Sequence, residues 1–343
     1  MPNRGSVRSK RAMDTISHRV KRKLSYLLND FCFQYLGKKI DVSAYQKKAL
    51  ILAYHGVDRI GNTSYNSRFI SQDYFDKQVS FFKTHFNVVS LEQYWLEDFA
   101  PDRLNLCITF DDGYRNNITH ALPILEKHRV PATFFITTIQ DTGTPYLWSD
   151  YVDLACVHRS APFAVDEEIF VKGKGGEFFS TTSSLSLKNT CRSRDYGFKQ
   201  RCIEALPGDF MKDDQLNDYW KVLSPQDIQV LGQSPLVTLG THGYFHNCLG
   251  NETYENACRE LKNSKDYLEC LLQAEVSAMA YPDGSYTKPL VDYCESIGYK
   301  HQLAMDYLFT EDRHDARIRD RFGINPYCSW NNQLYSVLRG KYF

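Results

Sequence analysis

Two carboxylates, Asp111 and Asp112, stand side by side directly after the apolar run 104–110, and Gly113-Tyr114 follow them. Adjacent like charges at the end of a buried run are costly, because they repel and both lose water. A bound cation removes that cost for one of them; a plain Asp-Gly turn is the simpler alternative. A second group, Thr241-His242-Gly243-Tyr244-Phe245-His246, follows the run 236–240. Among ten histidines it holds the one pair at i, i+4 spacing. Were the segment helical, both imidazoles would share a face and grip one ion. Two His and one Asp leave a coordination position open, as a catalytic zinc-type ion requires and a closed structural site does not. Tyr281-Pro282-Asp283-Gly284 is a Pro-Asp-Gly turn that ends the run 276–281 and can face the same pocket. Tyr54-His55-Gly56-Val57 ends the run 49–54, and its His either lines that mouth or caps the strand.

The elements that must position these residues follow a strand–helix rhythm. Short apolar runs at 49–54, 104–110, 131–137, 236–240 and 276–281 read as buried parallel strands. Helical patterns cover about 117–129, 253–273 and 288–297, the last stopping at Gly298. Repetition of this kind implies an α/β fold, either a barrel or a doubly wound sheet, and both place their sites at the carboxyl ends of strands. The rhythm breaks at about 141–220, where no regular repeat is visible and ten of residues 171–190 are Gly, Ser or Thr. This region reads as an insertion or flap with a mobile loop. Trp148 and Trp220 flank it, either lining a groove or packing.

Composition sets the outer bounds. At 343 residues and 43% hydrophobic, the chain can bury a full core, so disordered and disulfide-scaffold classes are excluded. Its longest apolar run is far shorter than the about 20 residues of a membrane-spanning helix. With 41 basic and 41 acidic side chains there is no overall footprint for nucleic acid. The balance hides an asymmetry, since residues 1–39 carry ten Lys/Arg against two Asp/Glu, a net of +8. Residues 1–45 therefore read as a basic N-terminal extension, partly helical through Ile16, Val20, Leu24, Leu27 and Leu28, and 46–343 as the barrel with its insertion. The extension reads as a solvated tail or an accessory helix, with contact to an anionic membrane surface as the functional alternative. No clean apolar segment of a secretory signal follows it, and the ten Cys include no C-x-x-C pair. The expectation is a cytoplasmic protein, peripheral at the inner membrane surface.

Three motifs carry a resemblance. Ile108-Thr109-Phe110-Asp111-Asp112-Gly113-Tyr114, Gly240-Thr241-His242-Gly243-Tyr244-Phe245-His246 and Ala280-Tyr281-Pro282-Asp283-Gly284 occur in the order and approximate spacing of the polysaccharide deacetylase family. That family is also named the NodB-homology or carbohydrate esterase family 4 group. Ala53-Tyr54-His55-Gly56-Val57 resembles the first strand of a subgroup, and Ala-Tyr-Pro occurs in a subgroup's third motif. The resemblance spans about residues 49–325. It implies a distorted (β/α) barrel and a metal-dependent hydrolase that removes an N-acetyl group from an amino sugar or glycan, such as a surface-polysaccharide precursor. By the same resemblance, Asp112, His242 and His246 bind one divalent metal, zinc in type, and Asp111 is the general base. Tyr114, Tyr281, Pro282 and Asp283 shape the substrate groove. The alternatives are a glycan-binding protein of the same fold and a hydrolase of a non-sugar amide.

The chain departs from the family pattern at four places. Gly243 stands where many members carry Ser or Thr, and Ala280 where an Arg commonly orients the base. Asp283 replaces the usual aromatic before the Gly. No late His matches the family's general acid; His55, then His301 and His314, are the candidates, and Arg321 suits a subgroup's late Arg-containing strand.

Overall fold

The computed structural model describes residues 16–46 and 48–342. Among the described residues, nine strands build the central sheet: Ala49–Tyr54 (β1), Asn87–Val89 (β2), Asn105–Phe110 (β3), Ala132–Ile136 (β4), Val237–Thr241 (β5), Ala278–Ala280 (β6), His301–Leu303 (β7), Ile318–Arg319 (β8) and Phe322–Gly323 (β9). Their order is β8-β7-β6-β5-β4-β3-β1-β9, with β2 paired to the first half of β3, and every pairing is parallel. The edge strands β8 and β9 are separated in the chain by Asp320 and Arg321 alone. Three residue steps span only about 10 Å, so the sheet must curl until its edges are neighbours. The result is a half-closed (β/α) barrel with surrounding helices, and residues 320–321 form its seam.

Side-chain alternation sorts the strands into an inside and an outside. Leu52, Leu106, Ile108, Phe134 and Ile136 pack outward with Phe75, Val79, Phe82 and Leu125 of the helices. Ile51, Cys107, Phe135, Ala278, Ala280 and Leu303 pack together within the curl. Both faces are buried, which is why these strands read as unbroken apolar runs. By the same parity Thr109 and Asp111 share the inward face with Cys107. The alternation that builds the core thus carries a carboxylate to the mouth.

The helices used below are Ile16–Tyr35 (α1), Gln72–His85 (α2), Leu122–His128 (α3), Trp148–His158 (α4), Leu187–Arg192 (α5), Tyr196–Ala205 (α6), Tyr254–Leu272 (α7) and Trp330–Arg339 (α8). Side-chain caps start several of them: Ser71 for α2, Asp195 for α6, Thr253 for α7 and Ser329 for α8. The helix expected over 117–129 is a π-turn at Asn117–Ala121 followed by α3, which ends at Arg129 with φ +54°. No described helix is long and apolar enough to cross a membrane.

The insertion is more regular than its composition suggests. Helix α4, a three-stranded antiparallel sheet (Phe163–Val165, Glu168–Lys172, Phe178–Ser180) and helices α5 and α6 surround a core of their own. Trp148 and Trp220 are both buried in it and line no groove. The expected mobile loop at 171–190 is instead largely a hairpin and α5. Strands of three to five residues broken by Gly and Ser are too short to show a period, which hid them from the sequence.

Candidate active site

Every motif residue stands at a strand's carboxyl end. Asp111 and Asp112 follow β3, His55 follows β1, His242 follows β5, Tyr281 follows β6, and Arg321 is the seam. The backbone turns sharply at these points: Asp112 has φ +75° and Gly113 φ +77°, so the two neighbouring carboxylates diverge. A non-glycine residue in the left-handed region is strained, and such strain gathers at functional sites.

The histidine pair is not on a helix. Residues 242–246 form a loop in which Gly243 (φ +74°) and His246 (φ +56°) are both left-handed, and this fold of the loop brings the rings together at 5.1 Å between centroids. Gly243 departs from the Ser or Thr pattern for a physical reason, since a side chain there would be strained and would press on Pro282. The holding of this loop falls to Glu260 of α7, whose carboxylate accepts the N–H groups of Tyr244 (3.1 Å) and Phe245 (2.8 Å). Trp148 adds an indole N–H donated to the His246 carbonyl at 3.0 Å.

Asp112, His242 and His246 bring their donor atoms within 4.8 Å of one another, all buried. Asp112 Oδ1 lies 3.5 Å from His242 Nε2 and 3.0 Å from His246 Nε2. A tetrahedral ion with bonds of about 2.0–2.1 Å needs ligand separations of about 3.3 Å. Asp112 Oδ1 and His246 Nδ1 have no hydrogen-bond partner among the described residues, although both are buried. The His242 Nδ1–H donates to the Ala280 carbonyl at 2.8 Å, which fixes the tautomer and leaves the Nε2 lone pair facing Asp112. The donor set therefore fits a divalent cation of the zinc type, with Asp112 Oδ1, His242 Nε2 and His246 Nε2 as the available ligand atoms.

Two arginines divide the carboxylates between roles. Arg321 grips Asp111 with both arms, Nη1 to Oδ1 at 2.6 Å and Nη2 to Oδ2 at 2.8 Å, and Nη1 also donates to Thr109 Oγ1 at 3.1 Å. It reaches Asp111 from the barrel seam, while the third-motif position is Ala280. Arg68 Nη1 donates to Asp112 Oδ2 at 2.9 Å, so the other oxygen of Asp112 is the one left for an ion. Arg68 is held in turn by Asp150 and Tyr114, and Tyr114 donates to Asp150 at 2.7 Å. Burial opposes charge on Asp111, yet the facing Arg321 keeps its carboxyl below the ordinary range. Burial also opposes charge on Asp112, and Arg68 with His246 holds it well below that range. Asp150 is pushed up to about 6 by burial, against the pull of Arg68. Burial lowers His242, whereas for His246 burial is outweighed by Asp112, which raises it. Burial pushes His55 down to about 4.

The residues expected to touch substrate are placed differently. Tyr114 and Tyr281 are fully buried; Tyr114 joins the Arg68–Asp150 network, and Tyr281 donates to Gln302 Oε1 at 2.6 Å. Pro282 is buried against the Gly243 loop. These three support the site and offer no contact surface. Asp283 (φ +53°) accepts from Arg192 of α5 at 3.0 Å and from the Cys248 thiol at 3.4 Å, so its charge ties the third-motif turn to the insertion. His301 opens β7 at its amino end and packs at a 44° tilt against Trp95, at the opposite end of the strand from the mouth. His314 ends a surface 3-10 turn. His55 is the candidate whose strand ends in the mouth.

Sequence reasoning missed Arg68, Asp150 and Glu260. Arg68 and Asp150 lie in segments without a period. Glu260 left a usable sign, because it falls three residues after Ala257 on the buried stripe of α7, where an acidic residue needs a partner.

The family model described as polysaccharide deacetylase matches residues 100–155 and 203–301, leaving out most of the insertion between them. No curated protein sequence matches the chain. Solved structures are similar in fold. A Streptococcus pyogenes deacetylase, PplD, in complex with acetate is 18% identical with TM-score 0.55, over 85% of this chain and 99% of that one. BC0361, a polysaccharide deacetylase from Bacillus cereus, is 17% identical with TM-score 0.53, over 85% and 69%. IcaB from Ammonifex degensii is 16% identical with TM-score 0.50, over 81% and 92%. The matched model spans the carboxylate pair and the histidine loop that the barrel brings to one mouth, and in both motifs and fold the chain is similar to the polysaccharide deacetylases.

Proposed function

We propose that the protein removes N-acetyl groups from an amino sugar or glycan, using one zinc-type divalent cation held by Asp112, His242 and His246. The observation that carries this reading is the convergence of three buried donor atoms beside a carboxylate, Asp111, that an arginine keeps charged. Bound there, a divalent cation supplies Lewis acidity to the amide carbonyl and to water near neutral pH. Asp111 accepts the proton of the attacking water, and Arg321 fixes both the orientation and the charge of that base. His55 is assigned the protonation of the departing amine. It rests neutral, and the proton that Asp111 takes from water is the source from which it is charged. The Arg68–Asp150–Tyr114 network holds Asp112 so that Oδ1 alone is free to ligate.

Acetate release from N-acetylated oligosaccharides and from lipid- and nucleotide-linked N-acetylated sugars tests the proposal. The expected result is acetate from at least one substrate, lost on chelation and restored by zinc. Retention of glycans without acetate release by the zinc-loaded protein would overturn it in favour of a binding protein.

A further inference from the structure

Helix α1 leaves a large apolar face uncovered. Leu24, Leu27, Leu28, Phe31 and Tyr35 are between 51% and 65% exposed, and Leu36 just beyond the helix is 68% exposed. At about 100° per residue, the five helical side chains fall within roughly 100° of arc. The opposite face holds the helix to the body. Asn29 donates to Asn332 Oδ1 at 2.7 Å, Asn332 donates to the Tyr26 carbonyl at 3.1 Å, and Phe33 meets Tyr335 edge-on at 6.4 Å between centroids. The apolar stripe therefore points directly away from the barrel. A soluble monomer rarely exposes a contiguous apolar patch of this size without a partner for it.

Charge identifies the occupant. Lys21 and Lys23 are exposed and fall on either side of the stripe, and exposed Lys39 follows it. The acid of this helix, Asp30, is engaged by Ser329 of α8 at 2.5 Å. Residues 1–39 carry net +8, and residues 1–15 contain few sizeable apolar side chains with which to cover the stripe. A second copy of α1 would bring one basic rim against another, with a single acid per helix, Asp30, to offset it. An anionic surface with an apolar interior complements both the rim and the stripe. We infer that α1 is an interfacial helix that seats the protein on an anionic lipid bilayer, Leu24, Leu27, Leu28, Phe31 and Tyr35 entering the acyl boundary and the lysines meeting the headgroups. The inference stands on this face alone and is independent of the catalytic reading.

Co-sedimentation of the full chain with vesicles tests it. Wild-type protein is expected to sediment with phosphatidylcholine vesicles containing phosphatidylglycerol far more than with phosphatidylcholine alone, and to be released as salt rises. The exposed triple substitution Leu24→Glu/Leu28→Glu/Phe31→Glu should weaken binding by about tenfold or more with an unchanged melting temperature. Lys21→Glu/Lys23→Glu should abolish the preference for anionic vesicles. Equal binding by the triple variant, or no binding by wild type, overturns the inference. A wild-type dimer that the triple variant dissociates overturns it also, since the face would then be a self-association surface.

Discussion

Asp111 and Asp112 differ by one backbone step and by which arginine each meets. Arg321 occupies both oxygens of Asp111 with a bidentate grip, and Arg68 occupies one oxygen of Asp112, leaving the other for an ion. On the proposed reading Asp111 is the base and Asp112 a ligand, which gives separable expectations. Asp111→Asn should reduce turnover about 10²–10⁴-fold while leaving zinc affinity nearly unchanged; paired calorimetry and acetate assays read the two quantities, and normal turnover would refute the base assignment. Arg321→Lys keeps the charge and loses the fork geometry. The Asp111 carboxyl, now held below the ordinary range by Arg321, should rise. A base works when deprotonated, so the acidic limb of the kcat/KM profile should move to higher pH in this variant. An unmoved limb would mean that another group sets it.

At the scale of elements, the barrel supplies the strand ends and the insertion supplies what holds the loops that leave them. Trp148 of α4 bonds the His246 carbonyl, Asp150 of α4 holds Arg68, Tyr196 of α6 stacks on Phe245 at 4.0 Å, and Arg192 of α5 ties down Asp283. Trp148→Phe removes one donor and leaves a buried carbonyl unpaired, a cost of about 1–3 kcal/mol. Because that carbonyl belongs to the left-handed His246, zinc affinity should fall about 10–100-fold, as for other partners of metal ligands. A competition titration against a chromogenic chelator measures it, and wild-type affinity would mean that the loop is rigid without the indole. The strands β1, β3 and β4 were legible because both faces are buried, and the proposed metal ligands stood out because Asp-Asp-Gly and His-x-x-x-His are short and local. Strands β2 and β7, of three residues each, carry no periodic signal. The loop geometry at Gly243 and His246 was not legible, because i, i+4 spacing is equally compatible with a helix and with a turn through left-handed residues. Arg68 and Asp150 were invisible because their partners are remote in the chain, Asp112 lying 44 residues from Arg68 and Arg68 lying 82 residues from Asp150.

For the whole molecule, closing the barrel and completing the site are one event. Arg321 reaches Asp111 across 210 residues of chain, and the seam that carries it joins the two edge strands of the sheet. An ion that binds only the assembled site must therefore stabilise the entire fold, by about 2.7 kcal/mol at a free concentration 100 times Kd. The pH dependence of this coupling follows from His246, whose imidazole is buried but raised above its usual value by Asp112. In the metal-free protein, the protonated His246–Asp112 pair contributes stability that is fully present below the ordinary histidine pKa. That stability is lost as pH rises through the raised folded value. A ligand imidazole must be neutral, so an ion displaces this proton at low pH and binds without displacing it at higher pH. Both effects act in one direction. The gap in melting temperature between zinc-loaded and metal-free protein should widen as pH rises above the ordinary histidine value, and calorimetric zinc titrations should release more protons at the low end of that range than at the high end. His246→Gln should remove the proton release and lower zinc affinity together. A pH-independent gap in the wild type would show that His246 is not the group the ion displaces a proton from, and would take it out of the ligand set.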